Sequence, residues 1–241
     1  MFIRLPNNVR DRSILALATL LLAGCDIEAN HVGQLEHSSK SVELGKFESA
    51  RLELKMGAGE LRMSGGSPKL AEADFDYNVA AWKPIFTSHT GGLRADVKVE
   101  QPGGATSFGD IQYKWRMRLN DQVAWDITTH LGAGEAHLDL GSVALRSVEV
   151  HMGVGQLSLD LRGTPKHSFD VEIHGGVGEA RIYLPKSAGI SATAHGGIGE
   201  ISVEGLEKRG DRWVNTELER SPVNIHLSAN GGVGSIRIVA E

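Results

Sequence analysis

The chain repeats one short pattern six times: a glycine, an apolar residue, a second glycine and a polar residue. The copies begin at Gly57, Gly132, Gly153, Gly176, Gly197 and Gly232. From Gly132 onward they start 21, 23, 21 and 35 residues apart. Alternation with period two flanks each copy, as in Val148, Val150 and Met152 before Gly153 and Leu157, Leu159 and Leu161 after Gln156. One face apolar and the other polar is the pattern of a half-buried strand. Each unit therefore reads as strand, glycine corner, strand and turn. Ordering such a unit costs roughly 1–2 kcal/mol per residue, and its few buried side chains contribute only about 1.5–3 kcal/mol each. A lone unit cannot fold. Units must stack and share one core, which is the logic of a solenoid.

Glycine is expected at a corner where positive φ or the close approach of a neighbouring backbone leaves no room for Cβ. That assigns a structural role to Gly57, Gly59, Gly132, Gly134, Gly153, Gly155, Gly176, Gly178, Gly197, Gly199, Gly232 and Gly234. The copy at His174, HGGVGE, has the first two glycines of a dinucleotide-binding loop. Arg181 stands where the third is required, and a strand pattern rather than a helix follows, which excludes that class.

The N-terminus carries Arg4, Arg10 and Arg12, then an apolar run over residues 14–22, then Leu22-Ala23-Gly24-Cys25. Residues 1–24 read as a secretory signal peptide. Its ending resembles the lipobox of bacterial lipoproteins, which implies cleavage before Cys25 and acylation of that residue, the only cysteine of the chain. Losing three Arg and one Asp with the leader takes the formal charge from −5 to −7. An acidic surface of this kind excludes nucleic acid as a partner by bulk charge. Asp26 resembles an inner-membrane retention signal, so the expected location is the cell envelope, on the periplasmic face of the inner membrane in a Gram-negative host. Residues 25–45 are expected to form a tether, 46–130 an irregular N-terminal part of the solenoid with loops near residues 84–92 and 102–109, and 131–241 its regular part. The fold class is all-β: a β-solenoid of stacked coils of about 21 residues with no helix after the signal peptide.

The segments MGAGELRMSGG, LNDQVAWDITTHLGAGEAHLDL and MGVGQLSLDL together resemble the toast-rack family of bacterial envelope domains, related to the cell-wall-active-antibiotic response proteins and to β-solenoid adhesins. The likeness spans most of residues 47–238. It implies a β-solenoid in the cell envelope and brings no catalytic residues. The lipobox departs from relatives that carry membrane-spanning segments.

Two residues before each corner stand Lys55, His130, His151, His174, His195 and Asn230; directly after it stand Glu60, Glu135, Gln156, Glu179, Glu200 and Ser235. Stacking in chain order would set His130, His151, His174 and His195 in one outward column, about 4.8 Å apart. Imidazoles in a row are candidate zinc ligands, but a surface column points its rings the same way, so a solvated face is the expected role. The leading functional reading is a non-enzymatic, lipid-anchored envelope solenoid without cofactor. It offers a surface to an envelope protein or cell-wall polymer, as an adhesin or an envelope-stress accessory. A metal- or pH-responsive sensor using the histidines and a polysaccharide-active enzyme using the glutamates are the alternatives. Arg209-Gly210-Asp211 is too short a match to an integrin motif to carry a role. The final strand, Ile236-Arg-Ile238, is expected at an uncovered edge, either beneath the loop around Trp213 or in self-association.

Overall fold

A computed structural model describes residues 32–103 and 109–241. Cys25, Asp26 and the expected signal peptide lie outside the described residues. Thirteen strands form one continuous sheet system: β1 (Glu36–Val42), β2 (Ser49–Ser64), β3 (Ala71–Tyr77), β4 (Ile85–Gly91), β5 (Arg94–Glu100), β6 (Tyr113–Leu119), β7 (Ala124–Asp139), β8 (Leu145–Asp160), β9 (Phe169–Leu184), β10 (Gly189–Glu204), β11 (Glu207–Arg209), β12 (Arg212–Val214) and β13 (Asn224–Ala240). Among the described residues helix is confined to two short 3-10 turns, Ala80–Trp82 and Thr216–Glu219. The all-β solenoid reading holds.

Each glycine motif lies inside one long strand that bends at it, so β2, β7, β8, β9, β10 and β13 each have a first arm, a corner and a second arm. Their parallel ladders run through both arms in matched register, as in His130↔His151, Gly134↔Gly155 and Leu138↔Leu159. Stacked first arms make one layer and stacked second arms the other. The core fills the wedge between them: Leu52, Leu54, Ile127, Val148, Val150 and Val171 from one side, and Leu61, Leu138, Leu159, Ile182 and Ile238 from the other, are essentially inaccessible. A register slip of one residue would turn each apolar row into water.

The corner glycines have a steric cause. A Cβ on Gly132 would lie 2.3 Å from the Gly57 carbonyl oxygen, and one on Gly155 would lie 1.8 Å from that of Gly134. Gly155 also has φ +142°, which L side chains rarely adopt. The coils stack so closely at the bend that only hydrogen fits.

The stack starts before β2. β5 lies against its first arm and β6 against its second, completing a coil whose corner is replaced by a loop. β4 extends the first layer, and β3 and then β1 the second. Aromatic rings close this end. Trp115 meets Phe75 and Tyr113, and Tyr113 meets Trp82, all at 5.7 Å between centroids. The Tyr113 hydroxyl donates to the Trp82 carbonyl at 2.7 Å, and burial pushes its pKa up. β1 corrects the tether expectation: residues 36–42 form a strand against β3, with Val42 buried.

A second correction concerns order. The long strands run β2-β7-β8-β9-β13-β10, so the last strand enters between the two before it. β13 pairs with β9 on one edge and with β10 on the other. It is an interior strand, not the free edge expected from sequence. The end strand is β10. Residues 205–223 carry the chain around that end as the β11–β12 hairpin and a 3-10 turn, then back into the gap. The hairpin covers part of the end, with Ser191 and Ala192 paired to Val214 and Trp213.

Candidate interaction surface

The bends line up into a ridge along one side of the molecule. Its crest is the apolar residue between the two glycines: Ala58, Ala133, Val154, Val177, Val233 and Ile198 in spatial order. These side chains are exposed, each set between two glycines that carry none. Val154, Val177, Val233 and Ile198 are 54%, 49%, 47% and 73% exposed and form a continuous apolar strip. Four residues at successive strand spacings span about 14 Å.

On one flank lies the row Lys55, His130, His151, His174, Asn230, His195. The three central rings stack, with centroids 4.7 and 4.9 Å apart and planes within 9° and 11°. His195 does not join them. Because β13 intervenes, Asn230 separates His174 from His195, and the expected column of four is a column of three and an outlier. His151 and His174 each face a glutamate two residues earlier on the same strand, Glu149 at 2.7 Å and Glu172 at 3.7 Å. Desolvation, then the neighbouring His151 and Lys55 charges, lower the pKa of His130. Parallel rings present their nitrogens side by side rather than around a centre. Among the described residues no group of three or more His, Cys, Asp or Glu side chains is arranged to hold a metal ion.

The other flank carries Glu60, Glu135, Gln156, Glu179, Ser235 and Glu200. Glu60 is engaged by Arg62 at 2.5 Å and Lys114 at 3.0 Å, which hold its pKa low. Glu179 pairs with Arg181 at 2.8 Å, and Glu135 faces His137 at 3.5 Å. These carboxylates are each engaged by a basic side chain or imidazole beside them instead of converging in a cleft, as glycosidic chemistry would need. Asp126 likewise accepts from Ser147 at 3.1 Å and faces Arg94 and Arg146, while Trp125 is fully buried with its indole donating to the Asn120 carbonyl at 3.0 Å. That conspicuous dipeptide is structural.

One feature escaped the sequence reading. The residue just before each corner faces the core. It is Met56, Leu131 and Met152 in the first three copies but Gly175, Gly196 and Gly231 in the others. Nothing in the backbone requires those three glycines. A Cβ on Gly231 would meet the end of the Ile236 side chain at 3.3 Å, and one on Gly175 would have its nearest neighbour at 3.7 Å. With the side chains missing, the wedge is hollow inside the bend of β9, β13 and β10. The cleft opens to solvent and is lined by Met152, Leu157, Ile173, Ala180, Ile201 and Ile236. The signal was the change from HMG and HLG to HGG.

The N-terminal domain of toast_rack, DUF2154, matches residues 31–183. A crystal structure of a candidate cell adhesion protein from Clostridium sporogenes is 33% identical and superposes with a TM-score of 0.83, over 86% of this chain and 100% of that one. Candidate adhesins from Bacteroides fragilis and Parabacteroides merdae, 8% and 13% identical, each align over 86% of this chain and 99% of their own, with TM-scores of 0.25. No curated protein matches the sequence. No helix among the described residues is long and apolar enough to cross a membrane. With the stacked glycine bends and a match over more than half its length, the chain belongs to the toast-rack family.

Proposed function

We propose that this protein is a non-enzymatic, lipid-anchored module of the cell envelope that holds a partner, a protein or a cell-wall polymer, in the manner of an adhesin. The observation that carries the reading is the bend ridge. An exposed apolar crest between two polar rows is the composition of a recognition surface: contact area in the middle and a wettable rim around it. The 33% identical relative that this chain covers completely is a candidate cell adhesion protein, in agreement with that use. Anchoring rests on Leu22-Ala-Gly-Cys25 and the basic, then apolar, leader before it. Two or more acyl chains on Cys25 would hold the module at a membrane where one would not.

The test has two arms. Cys25→Ser should block cleavage before residue 25 and abolish the uptake of labelled fatty acid by the chain. Val154→Lys with Val177→Lys should leave the fold and the anchoring intact and reduce the envelope material retained after crosslinking by at least about tenfold, the scale expected for losing about 1.4 kcal/mol of contact energy. Normal cleavage of the Cys25→Ser chain, or a wild-type chain that takes up no fatty acid, would defeat the anchor, and undiminished retention by the double variant would defeat the ridge.

A further inference from the structure

The two ends of the stack are built differently. At the β2 end the bend is covered. The backbone N–H groups of Gly57 and Ala58 donate to the side-chain oxygen of Gln101 at 2.8 and 3.4 Å, and Tyr113 lies over Gly59. The β10 end has the opposite polarity. Each bend turns its N–H toward the preceding coil and its carbonyl toward the next, since the Gly57 oxygen faces Gly132 and the Gly232 oxygen faces Gly197. The last coil therefore turns its bend carbonyls, at Gly197 and Gly199, toward open solvent. Beyond Ala192 the outer edge of β10 has no strand partner among the described residues.

Three further properties converge there. Behind the edge lies the cleft that Gly175, Gly231 and Gly196 leave hollow. Of its lining Ile201 is 37% exposed, and on the crest outside it Ile198 is 73% exposed. Beside them stands Glu200, the one glutamate of its row with no ion pair among the described residues; the outward Glu204, further along the arm, is bridged to Arg237 at 2.8 Å. The end is an unpaired strand edge with an apolar floor, surplus acceptors and negative charge.

We propose that the second arm of β10 receives an extended peptide strand whose alternate residues are apolar and basic. Its backbone continues the ladder, its apolar side chains enter the cleft over Ile201 and Ile236, and a Lys or Arg stands opposite Glu200. The donors of the incoming chain answer the free carbonyls. A second copy of this chain fits poorly: antiparallel pairing of two β10 edges about Ser202 sets Glu200 against Glu204, which places like charges opposite each other. This inference rests on the partner-binding reading above and makes its partner at this end a protein segment.

The probe is a fluorescent octapeptide of alternating Lys and Val, with a Glu–Val octapeptide as control, titrated against the full chain. Lys–Val should bind saturably and slow amide exchange over residues 199–204, whereas Glu–Val should not. Glu200→Lys and, separately, Gly231→Met, which refills the cleft, should each weaken binding at least tenfold. Asp139→Lys, exposed on the second arm of β7 in mid-stack, should leave it unchanged. Equal binding of both peptides, protection elsewhere on the molecule, insensitivity to Glu200→Lys, or a dimer that already protects residues 199–204 would each overturn the proposal. The wild-type exchange pattern decides even where a variant fails to fold. Loss of envelope retention in the ridge variant with Lys–Val binding intact would concern the ridge alone.

Discussion

The imidazole of His130 lies parallel to that of His151, with 4.7 Å between centroids and 9° between planes. Desolvation is the first cause of the lowered pKa of His130, and the charges of His151 and Lys55 add to it. A histidine whose folded pKa is below its unfolded value binds fewer protons when folded, so stability rises with pH across that interval. Its stabilising contribution is present above the unfolded value of about 6.5 and is lost as the pH falls through it toward the folded value. The urea midpoint should therefore drop as the pH is lowered from about 7 to about 5.5, and His130→Gln should flatten that drop. An unchanged slope in the variant would remove His130 from the account.

Glycines of the two kinds should respond differently to one methyl group. Gly155→Ala puts Cβ 1.8 Å from the Gly134 carbonyl oxygen at φ +142°. It should cost at least about 2 kcal/mol by denaturant titration. Gly231→Ala has only the tip of Ile236 to displace, at 3.3 Å, and should stay within about 1 kcal/mol of wild type. Equal effects would contradict the steric cause assigned to the bend.

Trp125 joins packing to a hydrogen bond, being fully buried with its indole on the Asn120 carbonyl. Asn120 in turn donates to the Ser67 carbonyl at 2.9 Å, tying the turn after β2 to the start of β7. Trp125→Ala should lose about 3–5 kcal/mol, and Trp125→Phe less than half of that. Calorimetric midpoints of the two variants separate the contributions.

The β11–β12 hairpin protects the start of β10. Trp213 is paired with Ala192, packs on the core, and carries the Lys208 ammonium 5.0 Å from its ring centroid. Trp213→Ser should loosen the hairpin and lengthen the open edge of β10, raising concentration-dependent association in sedimentation velocity. A variant as monomeric as the wild type would show that the hairpin does not guard this edge.

Much of the architecture was legible because it is set by local rules repeated six times. Period-two alternation on both sides of a glycine pair defines two arms and a bend, and a shared apolar face fixes the register between coils. The outward placement of His130, His151 and His174 follows from the same alternation. The strand at 36–42 was missed because EHSSKSV has almost no apolar face: only Val42 is buried, and β3 recruits the rest through backbone pairing. The hollow bend was visible as HGG in place of HMG, but a missing side chain becomes a cleft only when its neighbours across the ladder are missing too.

What the sequence could not determine is the order of the coils. Every long strand carries the same alternation and the same bend, so the backbone register is satisfied in any slot of the stack. Chain order was the natural guess and was wrong at two places: β5 and β6, which follow β2 in the chain, stack on its outer side so that β2 meets β7 directly, and β13 enters between β9 and β10. The insertion of β13 separates His174 from His195 by Asn230, makes β10 the end of the molecule, and sets Gly175, Gly231 and Gly196 side by side. The sequence by itself determined the unit and how units mate. Only the tertiary structure decided which units are neighbours, because equivalent interfaces carry no information about their order.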